Sequence, residues 1–116
     1  MKILAFAEQR EGKLKKSAFE VVGTARTMAD LLAGDLVALV IGDNIRSAAS
    51  SLGGHGASRV LVVEDPALAR YSTTAYGKII AEVAAKEQAT IVMLSATAMG
   101  KDLAPRVAVR LDAGLA

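Results

Sequence analysis

The chain contains no cysteine and a single histidine, His55. The first absence removes disulfides, thiolate metal sites and cysteine nucleophiles together, and it fits a reducing compartment. The second rules out a metal cluster built from histidines. Aromatic residues make up 3% of the chain and tryptophan is missing, although 53% of the residues are apolar. A core must therefore be assembled mainly from Ala, Val, Leu and Ile, a mixture suited to helices packed on a buried parallel sheet. No apolar run approaches the roughly eighteen residues of a membrane span. Met1 to Glu8 is too short and too soon charged for a signal sequence. The expectation is a soluble, cytoplasmic protein with no membrane insertion. A net charge of +2 selects no partner, and the one basic cluster, Lys13, Lys15 and Lys16, has no aromatic beside it to stack on a base. It reads as a solvated loop, with no nucleic acid as partner. A length of 116 residues allows one domain with one core, spanning residues 1–116, and excludes a second.

Lys2 to Ala7 is apolar without clean alternation, as expected of a central strand covered on both faces. Gln9 to Lys16 is polar, contains Gly12 and reads as a loop. Ser17, with Glu20 three residues on, predicts a capping box opening a helix over about Ala18 to Ala33. Ala18, Val21, Val22, Ala25, Met28, Ala29 and Leu32 would face inward, and Gly34 would end the helix. Leu36 to Ile41 is a second buried strand, stopped by Gly42-Asp43. Asn44 is placed to cap a short helix carrying Ile45, Ala48, Ala49 and Leu52, which Gly53-Gly54 would close with positive φ. Val60 to Val63 is a third strand. A helix from Ser72 or Thr73 to Lys86 follows, with Tyr76, Ile79, Ile80 and Val83 inward and Lys78, Glu82 and Lys86 spaced for pairing outside.

Ile91-Val92-Met93-Leu94 is the fourth strand, and it runs through small residues into Gly100-Lys101-Asp102 and a last helix to Leu111. Asp102 is expected as the N-cap, because Pro105 would then fall in the first turn, where its missing N–H costs nothing. The pattern predicts an α/β fold: an open, parallel, doubly wound sheet in a three-layer, Rossmann-like domain of the adenine-nucleotide-binding type. Four strands alternate with four helices through right-handed connections. A closing strand is missing, which suggests a truncated domain or one completed by something else.

Ligands of such sheets sit at the carboxyl ends of the strands, where a helix N-terminus offers free N–H groups. Thr97, Gly100 and Lys101 are accordingly the candidate nucleotide-binding residues. The phosphate-loop motif fails, since Asp102 follows Gly100-Lys101 and the upstream glycine is absent. Gly53-Gly54-His55-Gly56 follows a helix and leads into a strand, the reverse of a dinucleotide fingerprint, so a turn with an exposed His55 is expected. Glu8, Asp43, Glu64 and Asp65 stand near strand ends, but no nucleophile, oxyanion donors or metal ligands accompany them. No catalytic or metal site is expected.

The segment Ser95 to Ala108, with its Gly100-Lys101-Asp102-Leu103-Ala104-Pro105-Arg106 core, resembles the N-terminal domain of electron transfer flavoprotein α subunits. Leu4 to Glu8, Phe19 to Asp30, Leu52 to Ala57, Val60 to Asp65 and Tyr71 with its following helix resemble the same family in the same order. The resemblance implies an electron carrier subunit, not an enzyme. It implies a scaffold domain that pairs with a β subunit, while FAD is held by a separate C-terminal domain. Electrons would come from flavin dehydrogenases, such as acyl-CoA dehydrogenases of fatty acid β-oxidation, and go to a membrane quinone oxidoreductase. No flavin-binding residue can be carried over onto this chain, and no cofactor is expected for it alone. The alternative is a free-standing adenine-nucleotide-binding module of universal-stress type, although Leu103 stands where that family's Gly-x-x-Gly segment has its second glycine. An adenylating enzyme fits less well, since Gln9-Arg10-Glu11-Gly12 replaces its Ser-Gly-Gly loop.

Overall fold

The computed structural model describes residues 1–115. Its elements in chain order are β1 (Lys2–Phe6), β2 (Gln9–Arg10), β3 (Lys13–Leu14), α1 (Lys16–Leu31), β4 (Asp35–Gly42), α2 (Arg46–Ala49), β5 (Arg59–Glu64), α3 (Thr73–Glu87), β6 (Ile91–Met93) and α4 (Ala98–Leu111). Short 3-10 segments, Ser50–His55 and Pro66–Leu68, follow α2 and β5. No helix is long and apolar enough to cross a membrane.

Four strands form one parallel sheet in the order β5-β4-β1-β6. Alternate side chains of each strand feed two separate cores, as the twofold period of a strand requires. Ile3, Ala5, Leu36, Ala38 and Val40 pack against α1 and the α2 region on one face. Leu4, Phe6, Val37, Leu39 and Ile41 pack against Tyr76, Ile80 and Ala84 of α3 and Leu103 and Val107 of α4 on the other. Both faces of β1 and β4 are buried, which is why these strands read as continuous apolar runs. This is the expected doubly wound, three-layer arrangement. β6 lies at the edge with both faces half-buried. An open groove of about 850 Å³ runs along it, lined by Ile91, Val92 and Met93 and walled by Ala104, Pro105 and Leu111.

Several local expectations are corrected. The polar stretch after β1 is not a plain loop but a small hairpin, β2–β3. Its turn residues Glu11 and Gly12 both have positive φ, 53° and 82°, the pattern of a tight two-residue hairpin turn. That hairpin delivers the chain to α1 early. Lys15, not Ser17, occupies the N-cap position, and no side chain caps the helix. Leu32 lies outside the core, because α1 ends at Leu31 and the chain turns through Ala33 at φ 53°. Asn44 does not cap α2; it adopts φ 53°, and the carboxylate of Glu64 accepts the N–H groups of Ile45 and Arg46 instead. The glycine with positive φ after α2 is Gly56, not Gly53 or Gly54. Ser72 does cap α3, its hydroxyl accepting the N–H of Ala75.

The largest correction concerns α4. It opens at Ala98 with Thr97 as N-cap, whose hydroxyl accepts the N–H of Gly100 at 3.0 Å. Asp102 is therefore inside the helix, and Pro105 lies in its interior. The proline removes the N–H that would have met the carbonyl of Lys101, a cost of about 3 kcal/mol in an ordinary helix. The ring is on the exposed side, facing the groove along β6, and buried Leu103 and Val107 hold the helix on the sheet.

Candidate functional site

In this strand order the chain leaves β1 toward β4 and β5, then returns to the other side of β1 as β6. The reversal makes the carboxyl ends of β1 and β6 the topological switch point, where open α/β sheets bind ligands. Glu8 follows β1 into this crevice, and Ser95 to Thr97 leave β6 there.

The crevice is closed around Glu8, whose side chain has 0% exposure. One carboxylate oxygen accepts the Thr97 hydroxyl at 2.6 Å, and the other accepts the ammonium of Lys15 at 3.2 Å. The Glu8 carbonyl also accepts the Lys15 N–H, so the hairpin is clamped to the end of β1. Burying a carboxylate is costly unless it is paired and hydrogen-bonded. Both oxygens are engaged here. Thr97 thus links the carboxylate to the first turn of α4, accepting from Gly100 while donating to Glu8. Ser95 donates its hydroxyl to the Ser17 carbonyl, which ties the same loop to the first turn of α1.

Gly100 is required by a close approach. A Cβ at this position would stand 1.8 Å from the backbone carbonyl oxygen of Ser95. Asp102 turns the other way, accepting the hydroxyls of Tyr71, at 2.6 Å, and Thr73. Those two bonds, Thr73 first, together with the nearby charge of Arg106, hold the Asp102 carboxyl below its ordinary range. Tyr71 meets Tyr76 edge-to-face at 5.2 Å, and Tyr76 meets Phe6 in the same way at 6.4 Å. The buried Tyr76 hydroxyl donates to the Leu68 carbonyl at 2.6 Å. Burial pushes both tyrosines above their ordinary range, with the Asp102 bond adding to the rise at Tyr71. Lys101 is exposed and makes no ion pair among the described residues.

Of the three candidate nucleotide residues, Thr97 and Gly100 meet in the crevice and are engaged with each other, while Lys101 is exposed and lines the groove along β6. Glu64 and Asp65, also candidate carboxylates, are spent on caps: Glu64 on α2, and Asp65 on the turn at Pro66, where it accepts the Ala67 N–H. Asp43 is exposed. His55 lies exposed in its turn, its ring tilted against Phe19 at 4.5 Å. Glu8 is the functional-looking residue that the sequence did not single out from the other three. Its partners are distant, Thr97 by 89 positions.

A family model described as "Electron transfer flavoprotein domain" matches residues 3–116. "Electron transfer flavoprotein subunit alpha" of Megasphaera elsdenii is 42% identical over 97% of this chain and 33% of its own length. "Protein FixB" of Clostridium saccharobutylicum is 43% identical over 97% and 34%. "Acryloyl-CoA reductase electron transfer subunit beta" of Anaerotignum propionicum is 41% identical over 97% and 31%. The chain spans about a third of the length of these relatives.

Proposed function

The chain belongs to the electron transfer flavoprotein family, and from that premise we propose that it is the N-terminal scaffold domain of an α subunit, residues 1–116, which helps hold a heterodimer with a β subunit. The complete protein would be a bacterial, cytoplasmic electron carrier. It would take electrons on FAD from flavin dehydrogenases, acyl-CoA dehydrogenases among them, and hand them to a membrane quinone oxidoreductase. Relatives named as an α subunit and as the electron transfer subunit of an acryloyl-CoA reductase support the class of carrier.

The observation that carries the scaffold reading is how the Gly100–Arg106 signature is used. Gly100 packs α4 on Ser95, Asp102 fastens α3's entry through Tyr71 and Thr73, and Leu103 is buried. These residues build the helix entry and its packing. They do not fit a flavin, because the crevice beside them is filled by the chain's own carboxylate and Gly100's N–H is already bonded. We place the flavin seat in the two thirds of the relatives that this chain does not match. The strand that would complete the sheet along half-buried β6 is proposed to come from there too.

Calorimetric titration of the chain with FAD, AMP and ATP tests this reading. It predicts no saturable binding tighter than about 10 μM, roughly −7 kcal/mol. Tighter AMP or ATP binding would favour the universal-stress-type module, with Thr97, Gly100 and Lys101 as its nucleotide residues.

A further inference from the structure

Arg10 and Lys13 stand directly opposite one another across the β2–β3 hairpin. The other pair of the hairpin turns inward: Gln9 donates its side-chain amide to the Ile41 carbonyl at 3.0 Å, and Leu14 packs on the core. The two cations therefore share the outer face, and both are exposed. Like charges placed directly opposite in an antiparallel pair destabilise it. Lys16 follows, exposed at the first position of α1, whose first turn carries no acid. That end of the helix dipole disfavours a cation. The acids nearest in sequence, Glu11 and Glu20, pair with none of the three, nor does any other carboxylate among the described residues. Lys15 differs, because Glu8 answers it at 3.2 Å.

Two unrelated local rules are thus broken between Arg10 and Lys16, both in the direction of surplus positive charge. Departures of this kind without compensation inside the chain belong to functional positions. The mount is firm: Gln9 pins the hairpin to the carboxyl end of β4, and the Glu8–Lys15 pair pins it to the end of β1. No aromatic residue lies between Arg10 and Lys16, so nothing there would stack on a base. We infer that Arg10, Lys13 and Lys16 form a docking patch for an acidic face of a partner protein, which under the scaffold reading is the β subunit. Carboxylates supplied by the partner relieve the cross-strand repulsion and the misplaced helix charge together, so the complex provides the compensation that the free chain lacks.

The inference rests on the scaffold reading, and its test separates the two. Association of the chain with an electron transfer flavoprotein β subunit is followed by biolayer interferometry at ionic strengths from about 0.01 to about 1 M, over which the screening length falls from about 30 to about 3 Å. The native association rate should drop about ten-fold or more across that range. Lys13→Glu should associate several-fold more slowly at low salt and like the native chain at high salt, whereas Lys86→Glu, the same change of charge at an exposed position on α3, should stay close to native. In urea Lys13→Glu should be the more stable chain, its folded-to-unfolded ratio up by about two- to five-fold, because an opposite charge now faces Arg10. Slower docking by a more stable chain is the signature that a merely structural hairpin would not give. A complex whose association ignores salt and Lys13→Glu, or one slowed equally by Lys86→Glu, would overturn the patch and leave the scaffold reading standing. A Lys13→Glu chain less stable than the native one would overturn it by removing the repulsion. Salt-sensitive binding to phosphatidylserine vesicles that Lys13→Glu abolishes, with β-subunit association unchanged, would assign the cations to a lipid surface and refute the protein partner. No association at any salt would refute both readings.

Discussion

Replacing Gly100 by alanine probes the one contact on which the entry to α4 depends. Alanine is the better helix former, worth up to about 1 kcal/mol over glycine in a helix. Here its Cβ would begin 1.8 Å from the Ser95 carbonyl oxygen, where side chains essentially never approach closer than 3.0 Å, so the two backbones must separate by 1.2 Å or more. Overpacking of this kind costs about 1–3 kcal/mol. The same movement pulls Thr97 from Gly100 and from Glu8, and losing a neutral and a charged hydrogen bond adds about 1 and 1.5–3 kcal/mol when complete. After partial relaxation and the propensity gain, the net loss is expected near 2–4 kcal/mol, or roughly 10 °C in the midpoint of a domain this size. Gly23→Ala is the matched control. Gly23 is exposed in the middle of α1 with open space around its missing Cβ, and the same chemical change there should stabilise by about 0.4–1 kcal/mol. Urea unfolding of both variants, followed at 222 nm, gives the comparison. A Gly100→Ala variant as stable as the native chain would show that α4 enters the sheet in some other way.

Three further outcomes can be measured on the same chain. Thr97→Val removes both the cap and the bond to the buried Glu8 carboxylate and should cost about 2.5–4 kcal/mol, while Thr97→Ser, which keeps the hydroxyl, should stay within about 0.5 kcal/mol; equal losses in denaturant midpoint would argue against the hydrogen bonds. Asp102 and Glu87 are held low, Glu87 chiefly by its bond to Lys2 with Arg59 adding, so the folded chain binds fewer protons than the unfolded one. Their contribution is present above about pH 4 and lost as pH falls through the folded values, so Asp102→Asn and Glu87→Gln should each flatten the acid limb of stability against pH. Acid limbs parallel to the native one would contradict this. Tyr71 is raised, first by burial and then by Asp102, so its share is present below about pH 10 and lost as pH rises further. Tyr71→Phe should shallow the alkaline limb, and an unchanged limb would assign that loss to other groups.

The strands were legible because β1 and β4 are buried on both faces, so their apolar runs were uninterrupted and their alternation hidden. Ser72 was legible as a cap because its bond is local. The hairpin was not, since its strands are two residues long and Glu11 is an unusual residue at positive φ. At α4, Pro105 argued for a late start and Asp102 for a cap, but the deciding contacts were non-local: Gly100 against Ser95, and Asp102 against Tyr71 and Thr73. Similarly, Glu64 displaced Asn44 as the cap of α2 from 18 to 19 positions away. The candidate site was legible as a place, at the end of β6, and through the Gly-Lys-Asp signature as a family. Glu8 was illegible because nothing near it in sequence distinguishes a buried carboxylate from an ordinary one at a strand end. Only the folded position of Thr97 does so.

Association with an electron transfer flavoprotein β subunit tests the scaffold role most directly. Sedimentation velocity of the purified chain, alone and mixed with the β subunit, would be followed at 280 nm for protein and 450 nm for flavin. The prediction is a one-to-one complex that forms without flavin absorbance travelling with the chain on its own. A chain that sediments free of the β subunit while carrying flavin itself would contradict the scaffold role and return the crevice at Glu8 and Thr97 to consideration as a cofactor seat.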